Sequence, residues 1–174
     1  MEEIQYLDWN NSSDIIKKAY EAGLFVLVIG PKGTGKTSLV RNFAKNNNIN
    51  SESINFSLRT RESHLIGTKT LTDGTVSFDE GFLIKSMRNG DLLYLDEVNA
   101  AEADVLLRLD EALDDRRQIV LQEETGEVIK AKENWIVIAT SNPLTHRETQ
   151  EHPQQSISKY TVRRRIEYPH EEVE

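Results

Sequence analysis

Three stretches of the chain, residues 24–29, 92–95 and 135–139, are apolar at nearly every position. Segments that are apolar on both faces are typical of strands buried inside a parallel sheet whose two faces are covered by helices. Along the chain they alternate with segments whose apolar residues have helical spacing. This alternation predicts an α/β fold with a mostly parallel sheet.

Weaker patterns complete the predicted elements. Two short strands, residues 53–58 and 165–168, bring the sheet to five strands. Alternating residues on either side of residues 72–74 and 124–126 predict two β-hairpin inserts. Helices are predicted over residues 12–23, 36–45, 62–66, 82–87, 100–113 and 157–162, and residues 145–155 are a predicted loop.

The composition is that of one soluble domain. The chain has 174 residues, 37% of them hydrophobic and 29% charged, which is enough apolar material for one packed core. A formal net charge of −8 makes nucleic acid an unlikely general partner. The absence of cysteine excludes disulfides and thiolate metal sites. With no signal peptide and no apolar run of membrane-spanning length, we expect a cytoplasmic protein that does not enter a membrane.

A glycine-rich loop follows the first apolar strand and precedes a predicted helix. It matches the phosphate-binding pattern G-x-x-x-x-G-K-[ST] and consists of Gly30, Pro31, Lys32, Gly33, Thr34, Gly35, Lys36 and Thr37. Glycines let backbone N–H groups turn toward phosphate oxygens, and the helix presents its positive end to the same phosphates. A chance match would not require this strand–loop–helix context. We therefore predict that ATP binds to residues 30–38, which include Ser38 on the first turn of the helix.

Two side chains of this loop have predicted roles. Lys36 would reach the β- and γ-phosphates as a positive charge, and the Thr37 hydroxyl would ligate Mg²⁺. Lys32 does not occupy a fixed position of the motif, so it is either a solvated lysine or an additional phosphate contact.

Two carboxylates follow the second apolar strand. Parallel strands deliver their carboxyl ends to the ligand-binding edge of a sheet, so Asp96 and Glu97 are predicted to lie near the loop. Asp96 would hold Mg²⁺ through its water shell, and Glu97 would activate the attacking water. Two acids at a strand end are also common in ordinary loops, and the preceding loop motif favours the catalytic interpretation.

The third apolar strand ends in a polar segment that contains Asn142. Its amide could donate to the γ-phosphate and accept from the attacking water. Because Pro143 follows, the same residue also fits an ordinary Asn-Pro turn.

Together these motifs resemble those of AAA+ ATPases, in particular the MoxR-like, dynein- and midasin-related branch. The loop corresponds to Walker A, residues 92–97 to Walker B, and Asn142 to sensor 1. Four stretches carry the finer resemblance: GFLIKSMRNG at 81–90, DEVNAA at 96–101, EETGE at 123–127 and ATSNP at 139–143. The resemblance extends over residues 24–143.

The resemblance implies a three-layer P-loop fold and further features. The hairpins at 68–79 and 118–131 would be the helix-2 insert and the pre-sensor hairpin, which face the pore or a client. Members of this family form rings, commonly hexamers, in which an arginine of one subunit completes the ATP site of the next. Arg165, which precedes Ile166, fits that arginine best, and Arg163 and Arg164 compete with it. We expect residues 1–174 to be the nucleotide-binding core alone, without the C-terminal helical lid that members of this family usually carry.

The function implied by the resemblance is Mg-dependent ATP hydrolysis that remodels a protein partner, as in MoxR-like chaperones with von Willebrand factor A-type partners. The alternatives are a nucleic-acid-linked or GTP-dependent restriction subunit, a small P-loop kinase, and a nucleotide-binding scaffold without turnover. A kinase would not need Glu97 or Asn142 at strand ends. The net negative charge of the chain argues against the nucleic-acid-linked alternative.

Overall fold

The computed structural model describes residues 12–31, 35–121, 126–142, 159–160 and 162–165. These residues form nine strands and five α-helices, numbered in chain order. The strands are β1 (Val26–Ile29), β2 (Ser51–Asn55), β3 (Gly67–Thr72), β4 (Thr75–Glu80), β5 (Leu92–Asp96), β6 (Gln118–Leu121), β7 (Glu127–Lys130), β8 (Ile136–Ser141) and β9 (Val162–Arg165). The helices are α1 (Ser12–Glu21), α2 (Lys36–Asn46), α3 (Glu62–Ile66), α4 (Phe82–Asn89) and α5 (Ala103–Ala112).

The central sheet has five strands in the order β2-β5-β8-β1-β9, and every pairing is parallel. All six residues of β8 are buried, as are the first four of β5, so both faces of the sheet are covered. Helices α1 and α2 form one group, and α3, α4 and α5 form another; α2 and α4 both contact β5. The predicted three-layer α/β fold with a five-stranded parallel sheet is confirmed.

An aromatic and cationic cluster fixes the amino-terminal end of the sheet. The Phe25 and Trp135 rings pack edge to face with centroids 5.4 Å apart, and the Arg117 guanidinium lies 4.5 Å from the Phe25 centroid. Arg117 donates to the backbone oxygens of Trp135 and Gly23. Burial lowers the pKa of Arg117. The Trp135 indole N–H donates to the Ser86 hydroxyl at 3.0 Å. The starts of β1 and β8 are thereby held to α4 and to the residue before β6.

Both predicted hairpins are confirmed. Strands β3 and β4 pair in register from Gly67 with Glu80 to Thr72 with Thr75, and β6 pairs with β7 in the same antiparallel way. The β3–β4 turn has left-handed backbone at both Asp73 (φ 51°) and Gly74 (φ 77°), which is the geometry that an Asp-Gly hairpin turn favours. At the base of this hairpin, Gly81 approaches α3 so closely that a Cβ would overlap the backbone of Leu65.

Two element boundaries differ from the predictions because of backbone geometry. The helix expected over residues 100–113 is a 3-10 turn, Val98–Ala100, followed by α5. Ala101 and Glu102 are extended between them, with ψ of 147° and 158°. The strand expected over residues 53–58 is β2, which lies earlier at Ser51–Asn55 because its pairing with β5 begins at Ser51 and Leu92.

The last strand also begins earlier than predicted. This strand is β9. Its four residues pair with the four residues of β1, from Val26 with Val162 to Ile29 with Arg165, and this pairing sets its bounds. Val162 therefore opens a strand rather than closing the predicted helix over residues 157–162. The predicted loop over residues 145–155 lies outside the described residues. The longest described helix, α2, has 11 residues, and none of the described helices could cross a membrane.

Candidate active site

The order of the strands brings three predicted site segments together. Strand β8 lies between β1 and β5, with Ile29 paired to Ser141 and Leu95 paired to Ala139. Because the strands are parallel, their carboxyl ends share one edge of the sheet. Gly30 follows β1, Asn142 follows β8, and Asp96 ends β5. The glycine-rich loop, the predicted sensor and the acidic pair therefore converge at adjacent strand ends.

Lys36 lies within the loop, with only 8% of its surface exposed. Its ammonium donates to the backbone oxygens of Gly30 at 2.6 Å and Pro31 at 2.8 Å. Burial lowers the pKa of Lys36, while the charges of Asp96 and Glu97 raise it in part. The positive charge is thus held against the loop backbone, where the motif would place a phosphate.

Helix α2 begins directly behind the loop, as the motif requires. Its N-cap, Gly35, has left-handed backbone with φ 82° and has no side chain of its own that could cap the first turn. The N–H groups of that turn and the positive end of the helix dipole therefore suit an anion. Ser38 is exposed on the first turn, whereas Thr37 is half-buried. Of the predicted nucleotide-binding residues, Lys32, Gly33 and Thr34 lie outside the described residues.

Asp96 is linked by hydrogen bonds to both neighbouring segments. Its Oδ1 atom accepts from the Thr140 hydroxyl at 2.7 Å and from the Tyr94 hydroxyl at 3.1 Å. The Tyr94 oxygen also lies 2.9 Å from the Thr37 hydroxyl oxygen. Burial raises the pKa of Tyr94 to about 12, so this phenol keeps its proton at neutral pH. The acid of β5 is therefore connected through one phenol to the first turn of α2.

Glu97 directly follows β5 and has an unusual backbone conformation. Its φ of 55° and ψ of 51° are left-handed, which costs a residue other than glycine roughly 1–2 kcal/mol. Its backbone N–H donates to the Thr140 hydroxyl oxygen at 3.1 Å, and its side chain is half-buried. Strain of this kind persists where the surroundings fix it, and it is concentrated at functional sites.

Asn142 is held by a reciprocal pair of hydrogen bonds. The Asn99 amide nitrogen donates to the Asn142 backbone oxygen, and the Asn142 backbone N–H donates to the Asn99 side-chain oxygen, both at 3.1 Å. Both residues are buried. The 3-10 turn that follows the acidic pair thus fixes the backbone at the end of β8.

The three candidate arginines lie in the edge strand β9. The backbone of Arg165 pairs with Ile29, the residue before Gly30, while Arg163 and Arg164 pair with Leu27 and Val28. Their side chains lie outside the described part of the chain. The structure therefore places Arg165 at the sheet edge, at the level where the loop begins.

Three side chains that build this site had no role in the sequence predictions: Tyr94, Thr140 and Asn99. Tyr94 carries the one hydroxyl in the apolar run 92–95, Asn99 lies within the DEVNAA stretch, and Thr140 lies within the ATSNP stretch. The hydroxyl in an apolar run was the available signal for Tyr94. The partners of all three come from other segments, so their contacts could not be assigned from sequence.

The chemistry of the donor set fits a hard divalent cation. A threonine hydroxyl and a carboxylate are oxygen ligands of the kind that Mg²⁺ prefers, and Mg²⁺ commonly takes one or two protein ligands together with phosphates and water. No group of three or more histidine, aspartate or glutamate side chains suited to a metal occurs in the described ranges. Thr37 and Asp96 are thus the candidate ligands.

Comparison with known proteins supplies independent evidence. Residues 25–164 match the family model of the AAA domain, dynein-related subfamily. An uncharacterized protein of Staphylococcus epidermidis is 35% identical over 131 residues, covering 72% of this chain and 49% of that protein. One from Staphylococcus haemolyticus is 38% identical over 122 residues, covering 67% of this chain and 46% of that protein.

A solved structure shares the fold. The crystal structure of a "putative ATPase" from Cytophaga hutchinsonii superposes with a TM-score of 0.71 at 23% identity. The match covers 93% of this chain and 48% of that chain. The chain therefore spans about half the length of these relatives.

Proposed function

The chain belongs to the dynein-related subfamily of AAA domains, and on that basis we propose that it binds ATP with Mg²⁺ and hydrolyses it at the site described above. One observation carries the proposal. The strand order β5-β8-β1 brings the glycine-rich loop, Asn142 and the acidic pair to one edge of the sheet. A structural core alone does not require a phosphate loop, an amide and two carboxylates at adjacent strand ends.

The binding roles follow from the position of each group. The loop backbone and the first turn of α2 would hold the phosphates. Lys36 would exchange at least one of its carbonyl contacts for a phosphate oxygen, which its neutralising charge favours. Thr37 and Asp96 would hold Mg²⁺, which when bound neutralises charge on the β- and γ-phosphates.

The hydrolytic roles fall to the ends of β5 and β8. Glu97 would accept a proton from the water that attacks the γ-phosphorus, while ADP departs as the leaving group. Asn142 would orient that water against the phosphate with its amide. The left-handed turn at Glu97 and the two hydrogen bonds from Asn99 to the Asn142 backbone would fix the backbone of both residues before substrate binds. Such preorganisation favours catalysis.

We further propose that the protein acts as a ring, because AAA proteins commonly assemble in this way. The candidate arginines occupy β9, the edge strand of the described sheet. In a ring, commonly a hexamer, Arg165 of one subunit would stabilise the transition-state charge at its neighbour's site.

The first test is ATP turnover as a function of protein concentration, with light scattering to measure mass. We expect turnover per subunit to rise as the mass increases, because each site is completed by a neighbour. Arg165→Ala should bind nucleotide normally and lose this rise. Constant turnover by a monomer would contradict shared sites, and binding without turnover at every concentration would contradict hydrolysis by this chain.

The β3–β4 hairpin supports a protein partner as the object of the reaction. Leu71 and Val76 are paired across the hairpin and are 72% and 64% exposed. This exposed pair on one rung of the hairpin offers apolar surface that a second chain could bury. We propose that this rung contacts the client. A von Willebrand factor A-type partner is the class that the resemblance to MoxR-like proteins implies.

We expect the double substitution Leu71→Ser and Val76→Ser to abolish stimulation of ATP turnover by a protein partner. The probe is a permanently unfolded protein, reduced and carboxymethylated α-lactalbumin, because it presents apolar segments without a fold of its own. Thr70→Ser and Thr75→Ser on the same hairpin form the matched control. Equal stimulation of the wild type and the double variant would contradict the role of the hairpin, and unchanged basal turnover would show that the site is intact.

A further inference from the structure

A chain of four hydroxyl and carboxyl groups connects the phosphate loop to the acidic strand. It runs from Thr37 to Tyr94, then to Asp96 Oδ1, and Thr140 donates to that same oxygen from the other side. Tyr94 is 2% exposed, so its hydroxyl exchanges few contacts with water. The Thr37 hydroxyl and the Asp96 carboxylate therefore contact the same phenolic oxygen.

The directions of these hydrogen bonds follow from the chemistry of the groups. A carboxylate only accepts, so the single proton of Tyr94 is donated to Asp96. The Tyr94 oxygen can then only accept from Thr37, whose hydroxyl must be the donor across the 2.9 Å contact. Thr37 consequently turns its proton toward Tyr94 and keeps its oxygen lone pairs for other partners.

The same arrangement divides the two oxygens of Asp96. Oδ1 accepts both the Tyr94 and the Thr140 hydroxyls, whereas none of the groups in the described ranges donates to Oδ2. A hydroxyl that ligates a cation must offer a lone pair and direct its proton elsewhere. Tyr94 meets that requirement at Thr37 and leaves one oxygen of Asp96 for the cation's water shell.

We propose that Tyr94 is a positioning residue that prepares Thr37 and Asp96 to hold a divalent cation together with nucleotide. This inference rests on the proposed function, because it assigns a role within the same site. Tyr94 itself would not touch the cation or the phosphates. Without the phenol, the Thr37 proton is no longer directed away from the cation. Part of the free energy of cation binding is then spent on orienting the Thr37 hydroxyl.

The test is Tyr94→Phe, which retains the buried ring and removes only the hydroxyl. The probe is a fluorescent N-methylanthraniloyl derivative of ATP, whose affinity is measured in EDTA and again at saturating Mg²⁺. We expect the gain in affinity that Mg²⁺ confers to be about fivefold smaller in the variant, in line with the loss of one or two hydrogen bonds. Affinity in EDTA should equal that of the wild type.

Tyr20→Phe is the matched control, because Tyr20 lies in α1 and packs edge to face against Phe43, about two turns along α2 from Lys36. A structural role alone would lower the thermal midpoint and both affinities together, and that result would overturn the inference. An unchanged or larger Mg²⁺ gain in Tyr94→Phe would also overturn it. Absence of any Mg²⁺ gain in the wild type would instead overturn the proposed function itself.

Discussion

Lys36→Ala is expected to weaken ATP binding by about a hundredfold or more, because the variant removes the ammonium that donates to the backbone of the phosphate loop. A hydrogen bond to a charged group contributes about 1.5–3 kcal/mol, and the loss of roughly 3 kcal/mol corresponds to two orders of magnitude in affinity. The ammonium also donates to the carbonyl oxygens of Gly30 and Pro31, so the variant loses these two hydrogen bonds within the loop as well. Equilibrium binding of labelled ATP in Mg²⁺ measures the effect.

Two further variants separate charge from structure at this position. Lys36→Met retains most of the buried aliphatic stem and should bind as weakly as Lys36→Ala. Lys85→Ala removes an exposed lysine from α4 and should bind like the wild type. If Lys36→Ala or Lys36→Met bound ATP with wild-type affinity while remaining folded by circular dichroism, Lys36 would have no role in holding phosphate.

Glu97→Gln is expected to retain Mg-ATP binding and to lose turnover by a factor of about 10²–10⁴, the range that a general base contributes. Glutamine matches the size of glutamate and cannot accept the proton of the attacking water. The backbone bond from residue 97 to the Thr140 hydroxyl does not involve the side chain, so the left-handed turn should persist. Single-turnover hydrolysis with excess protein, compared with equilibrium binding, distinguishes the two steps.

The control for this variant is Glu133→Gln, the same change at an exposed position before β8. It should hydrolyse ATP at the wild-type rate. Normal hydrolysis by Glu97→Gln would exclude Glu97 as the base and direct attention to another proton acceptor at this edge of the sheet. Loss of binding along with turnover would instead indicate that Glu97 acts in holding the nucleotide.

Local sequence was sufficient for the features whose signals are local. The uninterrupted apolar runs identified β1, β5 and β8, since only a doubly covered strand is apolar on both faces. Asp73 and Gly74 identified the first hairpin, since both have the positive φ that its turn requires. The loop pattern likewise predicted the transition into α2 at Lys36.

Features that depend on distant partners could not be predicted in the same way. The sheet order, with β8 between β1 and β5, involves segments far apart in the chain. The helix predicted from residue 100 begins only at Ala103. The preceding segment turns at Glu97, whose backbone N–H donates to Thr140 on another strand. Arg163 and Arg164 did not indicate a strand, because an edge strand pairs through its backbone and tolerates charged side chains.

The position of β1 between β8 and β9 has a consequence for how the protein folds. Both neighbours of β1 follow it by about a hundred residues or more, so its pairings close long loops and have high contact order. During synthesis, β2 and β5 can pair long before β1 acquires a neighbour. The apolar β1 stays without a partner strand until β8 has been synthesised. During that interval its unpaired backbone and apolar side chains favour aggregation. Chaperone demand and late acquisition of nucleotide binding would then be properties of the topology itself.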